Sequence, residues 1–125
     1  MRSCPPRVPF MRPDRLYLRD IIEAADLLKA FLEAKEFQNF QADRQLRSAV
    51  LYQLTIMGEA VSQMSPDTKA RHPGVPWSEV SRFRNRTLHG YFSIDWEIVW
   101  VAATVNAPRL REAIADVLRA EGLVD

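Results

Sequence analysis

The stretch DRQLRSAVLYQLTIMGEAVSQM, residues Asp43–Met64, decides the fold that we predict for this chain. Its apolar residues recur at the three- and four-residue spacing of a helix with one buried face. They are Leu46, Val50, Leu54, Met57, Val61 and Met64. Asp43 precedes them and can cap the helix by accepting a hydrogen bond from a backbone N–H. Gly58 lies inside the helix, where glycine costs about 1 kcal/mol relative to alanine, so we expect another helix to approach it closely.

Helical spacing continues on both sides of this stretch, and no sustained alternation typical of a β-strand is present. The predicted helices run from about Asp14 to Ala34, Asp43 to Met64, Trp77 to Gly90, and Asp95 past Val117. The predicted connections are Lys35–Ala42 and Ser65–Pro76, the latter with one short turn at Asp67–Arg71. Because proline lacks a backbone N–H, Pro108 should kink or split the last helix. The sequence therefore predicts an all-α bundle of four or five helices.

The chain of 125 residues is long enough for one domain. Four of its eight prolines lie within the first thirteen residues, which excludes a regular helix there. We predict a flexible N-terminal arm over residues 1–12 and a single helical domain over 13–125. The apolar run Ile98–Val105 is far shorter than the roughly 20 residues of a membrane span. We therefore expect a cytoplasmic protein with no membrane partner.

The charge of the chain is concentrated in one region. Seventeen basic and sixteen acidic residues give a net charge of only +1, which argues against broad, non-specific coating of nucleic acid. Between Lys69 and His89, however, the sequence has five basic side chains and only one acidic side chain. We expect Arg82 and Arg86 of this region to bind RNA phosphates. The single cysteine, Cys4, excludes an internal disulfide.

The stretch RFRNRTLHGY, residues Arg82–Tyr91, carries the chemistry. Metal-free RNA cleavage needs proton transfer, which suits histidine, and a cation on the phosphate, which suits the permanently charged arginine. Arg84 and His89 are the candidates for these roles. No Gly-rich phosphate loop and no His-Glu-x-x-His motif is present, so the sequence predicts no metal and no cofactor.

The spacing of Arg84 and His89 places a condition on this hypothesis. Residues five apart on a continuous helix lie about 140° apart around its axis. The two side chains therefore converge only if the helix ends near His89, as Gly90 permits. One such pair also supplies a single proton-transfer group. Two copies facing each other would supply two, so we expect a symmetric homodimer.

The string Arg84-x4-His89 with Asn85 after the arginine resembles the motif of the HEPN superfamily of RNA-cleaving helical domains. Its extension to Tyr91 resembles the form found in HepT-like toxins. The resemblance implies a homodimeric, metal-independent endoribonuclease in which Arg84 and His89 catalyse and Asn85 orients them. It also implies a cognate antitoxin, a minimal nucleotidyltransferase that transfers AMP from ATP to Tyr91. An added phosphate there would occupy the RNA site and cancel its charge.

Each of these residues also has a plainer interpretation. Arg84 can be a solvated or ion-paired surface residue, His89 a helix cap, and Tyr91 a half-buried packing residue. Glu59 can pair with an arginine of the basic motif or face solvent. His72 lies in a proline-rich loop, where a structural role is expected, and the tryptophans suit the core or a dimer interface better than RNA stacking.

Two other function classes remain open from the sequence. The first is a non-catalytic helical module that binds a nucleotidyltransferase or a nucleotide, which the modest net charge favours. The second is a metal-dependent hydrolase, for which the sequence offers little support. Expression without a partner separates the toxin from the module, because only the toxin should harm the cell.

Overall fold

The computed structural model describes residues 12–89 and 93–123, and for residues 86–89 only the backbone. Over these ranges the chain forms seven α-helices and a π-helical segment, with no β-strand. The helices are α1 (Asp14–Leu32), α2 (Phe37–Ala42), α3 (Arg44–Gln63), α4 (Pro66–Arg71), α5 (Trp77–His89), α6 (Trp96–Val101) and α7 (Ala107–Ala120), with the π-helical segment at Ala102–Asn106. The predicted all-α bundle is confirmed.

The core lies where α1 packs on both α3 and α7, and α5 packs on the other side of α3. The apolar spacing of each long helix places one stripe in this core. Its fully buried members include Leu18, Ile21 and Leu28 of α1, Val50 and Val61 of α3, and Ile114 of α7. Met57 and Met64 are buried as well, as the stripe predicts. The helix α3 is thus the central element, and its far side supports α5.

The predicted helix boundaries hold at most ends. Asp43 caps α3 by accepting a hydrogen bond from the Leu46 N–H, and Asp95 caps α6 by accepting one from the Glu97 N–H. The first helix ends at Leu32, two residues before the predicted Ala34. Ala34 has a φ of 61°, in the left-handed region, which ends a right-handed helix.

The prediction of an irregular connection at Lys35–Ala42 is wrong, because the chain forms α2 there. Its start is fixed by a capping box in which Glu36 and Asn39 bond each other's backbone N–H groups. Phe40 is fully buried in α2, with its ring centroid 5.4 Å from that of Trp100 and 6.0 Å from that of Trp96. Because α2 has only six residues, its stability comes mainly from the burial of the Phe40 ring.

Pro108 splits the last helix, as predicted. It lies in the first turn of α7, directly after the π-helical segment. Proline cannot donate a hydrogen bond to the carbonyl four residues earlier, and its ring clashes with that carbonyl. The wider π-helical turn is a known way of accommodating such an interruption without ending the helix.

Two acidic residues, Asp14 near the start of the described chain and Glu121 near its end, make polar contacts with α4 and the residue that follows it. The Asp14 carboxylate accepts hydrogen bonds from the Ser65 and Thr68 hydroxyls, each at 2.6 Å, and from the Ser65 N–H. Burial raises the pKa of Asp14, but these donors outweigh it and the net pKa is lowered. At the other end Glu121 contacts Arg71 and His72, and hydrogen bonds from both lower its pKa to about 2. His72 thus has the structural contact expected of it.

Arg12, at the end of the predicted arm, contacts the first helix. Its guanidinium donates to the Asp20 carboxylate at 2.7 Å and lies over the Tyr17 ring, 4.7 Å from the centroid. Residues 1–11 of the arm lie outside the described residues. Among the helices described, none is both long and apolar enough to cross a membrane.

Candidate functional site

The site begins at the contact between α3 and α5, where Gly58 faces Arg84. A Cβ atom placed on Gly58 would lie 2.3 Å from the Arg84 Cβ, 2.9 Å from its Cγ and 3.4 Å from the Val80 carbonyl oxygen. Carbon atoms in ordinary contact are about 3.5–4.0 Å apart, so no larger residue fits here without movement. The close approach predicted from Gly58 is confirmed, and the partner surface is the aliphatic stem of Arg84.

The guanidinium of Arg84 is oriented from two sides. Its Nη2 donates to the Glu59 Oε1 at 2.6 Å, and its Nη1 donates to the Asn85 Oδ1 at 2.9 Å. The Arg84 side chain is 26% exposed and that of Glu59 is 46% exposed. The structure therefore decides between the two alternatives for Glu59: it pairs with an arginine of the basic motif.

A residue that the sequence reasoning did not single out extends this arrangement. Gln63 lies one helical turn after Glu59 on α3, and its Nε2 donates to the Glu59 Oε2 at 3.2 Å. The spacing of four residues places two side chains next to each other on a helix. The contact could therefore have been predicted from the sequence once Glu59 was considered as a site residue.

The histidine half of the predicted pair is defined only by its backbone. The α5 helix extends through His89, so the Cα positions of Arg84 and His89 lie about 140° apart around the axis. Gly90 and Tyr91 lie outside the described residues, as do the side chains of Arg86 and His89. Convergence of Arg84 and His89 on one phosphate, and the role of Tyr91, remain predictions.

Arg82 lies in a different place from Arg84. It lines a groove of about 860 Å³ between α5, α6 and α7, whose lining does not include Arg84. Residues two apart on a helix are about 200° apart around its axis, so the two arginines leave α5 on opposite sides. The three alternating arginines of the sequence are therefore not all on one face.

The groove itself has mixed character. Its polar rim combines acidic and basic side chains, and its walls are mainly apolar, with Leu54, Met57 and Phe83 among them. The charged members are Glu79, Asp95 and Glu97 together with Arg82 and Arg109. A groove of this composition has no strong field for a polyanion. In the described part of the chain, no group of three or more His, Cys, Asp or Glu is placed to hold a metal ion.

The tryptophans lie where packing predicts them. Trp77 is buried, and its indole N–H donates to the His72 carbonyl oxygen at 2.9 Å. Trp96 and Trp100 are half-buried and pack against the phenylalanines of α2. Core packing therefore accounts for all three rings.

Comparison with known proteins gives consistent matches. The family model described as ribonuclease HepT-like matches residues 21–117. A protein named as a probable ribonuclease HepT, from Thermococcus cleftensis, is 35% identical over 80% of this chain and 91% of its own length. Proteins named as candidate RNases come from Caldanaerobacter subterraneus (29% identical, covering 89% of this chain and 99% of the relative) and Methanocaldococcus jannaschii (30%, 84% and 87%). No solved structure matches the chain significantly.

The helical fold, with the arginine of the motif packed against the central helix, defines a domain of the HEPN class. The family match covers most of this domain, from the core of α1 to the last turns of α7. The chain belongs to the HepT-like ribonuclease family.

Proposed function

We propose that this protein is a metal-independent endoribonuclease in which Arg84 and His89 act on the RNA phosphate. The observation that carries the proposal is the orientation of Arg84 by Glu59 and Asn85 at the start of the Arg-x4-His string. An arginine with no function would not require a glycine against its aliphatic carbons and two hydrogen-bond acceptors at its guanidinium. Family membership supports the same activity.

The cleavage we propose uses the ribose 2′-hydroxyl as nucleophile. His89 removes the hydroxyl proton, the 2′-oxygen bonds to phosphorus, and the bond from phosphorus to the 5′-oxygen breaks. A second histidine protonates the departing 5′-oxygen, leaving a 2′,3′-cyclic phosphate and a 5′-hydroxyl. Arg84 stabilises the added negative charge on the pentavalent phosphate. The need for a second histidine is why we propose a homodimer with the site between its subunits.

We assign the other residues of the basic motif to orienting Arg84 and binding RNA. Asn85 orients the arginine, and Arg82 and Arg86 contact RNA phosphates away from the cleaved bond, since Arg82 leaves α5 on the side opposite Arg84. The helical domain of residues 13–125 carries the whole site, and the arm of residues 1–12 lies outside it.

We further propose that the protein is the toxin of a toxin–antitoxin pair. Its antitoxin is a minimal nucleotidyltransferase that uses ATP to modify Tyr91. The tyrosine oxygen bonds to the α-phosphorus of ATP, its proton is lost, and pyrophosphate leaves. The attached AMP adds negative charge to the basic motif and opposes RNA binding. Intact mass after co-expression with the antitoxin tests this, and an unmodified mass would contradict it.

The ribonuclease proposal is tested by digestion of labelled RNA with purified protein in excess EDTA. We expect the wild type to cut RNA, and Arg84→Ala and His89→Ala to lose at least about a hundredfold in rate. Arg44→Ala is the matched control, since this exposed arginine lies fifteen residues before Glu59 on α3, about 22 Å along the axis. Equal activity in all four proteins would refute the assigned site, and loss of wild-type activity in EDTA would refute metal independence.

A non-catalytic interaction module is the second candidate, favoured by the mixed charge and apolar walls of the groove. Such a module would bind a nucleotidyltransferase or a nucleotide without cutting RNA. Expression of the unmodified chain alone separates the candidates. Growth arrest that His89→Ala relieves supports the toxin, whereas harmless expression of the wild type supports the module.

A further inference from the structure

We infer that Glu59 is a positioning residue for Arg84, one that fixes the direction of the guanidinium and opposes RNA binding by its own charge. The inference rests on the proposed function, because it assigns Glu59 a part in the cleavage that Arg84 performs. It is carried by three contacts: Gly58 against the stem of Arg84, Glu59 against its head, and Gln63 against Glu59.

The first contact fixes the stem of the arginine. The Arg84 Cβ and Cγ lie against the bare backbone of Gly58, closer than any side chain at that position would allow. An arginine side chain has several rotatable bonds, and packing of the first carbons removes part of their freedom. The direction in which the chain leaves α5 is therefore set by the helix contact.

The second contact fixes the head. Glu59 follows Gly58 directly, so the same turn of α3 that admits the stem presents the carboxylate at 2.6 Å from the Nη2. The Asn85 Oδ1 accepts from the other terminal nitrogen. Acceptors at both terminal nitrogens define the plane of the guanidinium, and a planar fork can grip two phosphate oxygens only when that plane is correctly oriented.

The third contact fixes the carboxylate itself. Gln63 donates to the second oxygen of Glu59 at 3.2 Å, one turn further along α3. Both residues lie on the central helix α3, so the carboxylate is oriented by a neighbour on the same helix face. A single, partly exposed ion pair contributes little to folding, so its geometry is better explained by what it does to Arg84.

The charge of Glu59 makes the inference testable. A half-exposed carboxylate beside the phosphate site repels RNA, so removing it should strengthen binding. The same removal frees the guanidinium to adopt other orientations, which should slow the chemical step. A residue needed only for folding would not produce these opposite effects.

The test uses single-turnover cleavage of RNA by the full chain at saturating protein, and binding of the same RNA with 2′-O-methyl groups, which cannot be cut. For Glu59→Ala we expect a cleavage rate no more than about one-tenth of the wild-type rate. RNA binding should be equal to or tighter than that of the wild type, and the melting temperature should be unchanged. Glu59→Gln keeps an acceptor oxygen and should recover most of the rate. The matched control is Glu23→Ala on α1, an exposed glutamate whose loss changes the net charge equally.

A second readout does not depend on cleavage. Rotation about the Nε–Cζ bond exchanges the two terminal nitrogens, so a fixed guanidinium gives separate ¹⁵N signals for the Nη atoms. We expect separate signals for Arg84 in the wild type and Glu23→Ala, and merged signals in Glu59→Ala. If the wild type cuts no RNA, the proposed function fails while this spectrum still reports whether Glu59 orients the arginine.

Three results would overturn the inference. One is an Arg84 spectrum that is the same in Glu59→Ala and wild type. Another is a cleavage rate unchanged, or raised, in Glu59→Ala. The third is a parallel loss of binding, rate and melting temperature, which would make Glu59 a structural residue only.

Discussion

Substitution of Gly58 by alanine tests the contact on which the site depends, because two effects of opposite sign compete there. In an exposed helix interior, alanine is more stable than glycine by about 1 kcal/mol. Here the new Cβ would lie 2.3 Å from the Arg84 Cβ, about 1.2 Å short of an ordinary contact of about 3.5 Å. The neighbour is the first carbon of a side chain, so α5 itself must shift.

Overpacking of this kind costs about 1–3 kcal/mol. After the intrinsic gain of alanine is subtracted, we expect Gly58→Ala to lower the free energy of unfolding by about 1 kcal/mol, and to displace Arg84 from Glu59. Urea denaturation followed by circular dichroism measures the first effect, and RNA cleavage the second. The control is Gly74→Ala, since a Cβ there would meet nothing within 4 Å. It should be neutral or stabilising. A Gly58→Ala protein more stable than wild type would refute the close contact.

Three further predictions concern stability. The pKa of Glu121 is about 2 and that of Asp14 is lowered, so both stabilise the fold when ionised. Acid titration should show this stabilisation complete above pH 4.5, the ordinary pKa of a glutamate, and lost towards pH 2. Glu121→Gln should weaken that dependence, and an unchanged acid titration would count against the network. Phe40→Ala should cost about 3–5 kcal/mol in urea denaturation; a cost below 1 kcal/mol would mean that α2 is dispensable. Gly122→Ala should cost about 1 kcal/mol because its φ is +71°, and a neutral result would contradict that conformation.

Much of the fold follows from local patterns. The long helices follow from apolar spacing, two of their starts from Asp43 and Asp95, and the split of the last helix from Pro108. These features depend on residues within one or two turns of each other, which is why sequence alone reveals them. The α2 helix is too short to show a period, and its burial of Phe40 depends on the tryptophans of α6, far along the chain.

The site is predictable to a similar extent. Gly58 predicts a close helix contact because glycine destabilises a helix interior relative to alanine. Nothing in the sequence, however, indicates which residue fills the space beside it. That Arg84 does so, with Glu59 beside it, is a property of how α3 and α5 cross. The separation of Arg82 from Arg84 was predictable, since residues two positions apart on a helix lie about 200° apart around its axis. The contact between Asp14 and Ser65 was not, because no local pattern links positions so far apart.

The most direct test of the central claim is an RNA whose cut site is known, prepared with a single 2′-deoxynucleotide on the 5′ side of the cut bond. With the wild-type protein in EDTA, our account predicts a 2′,3′-cyclic phosphate on the unmodified RNA and no cut at that bond in the deoxy substrate. Cleavage of the deoxy substrate, or a product with a 3′-hydroxyl, would contradict attack by the 2′-oxygen and with it the roles of Arg84 and His89.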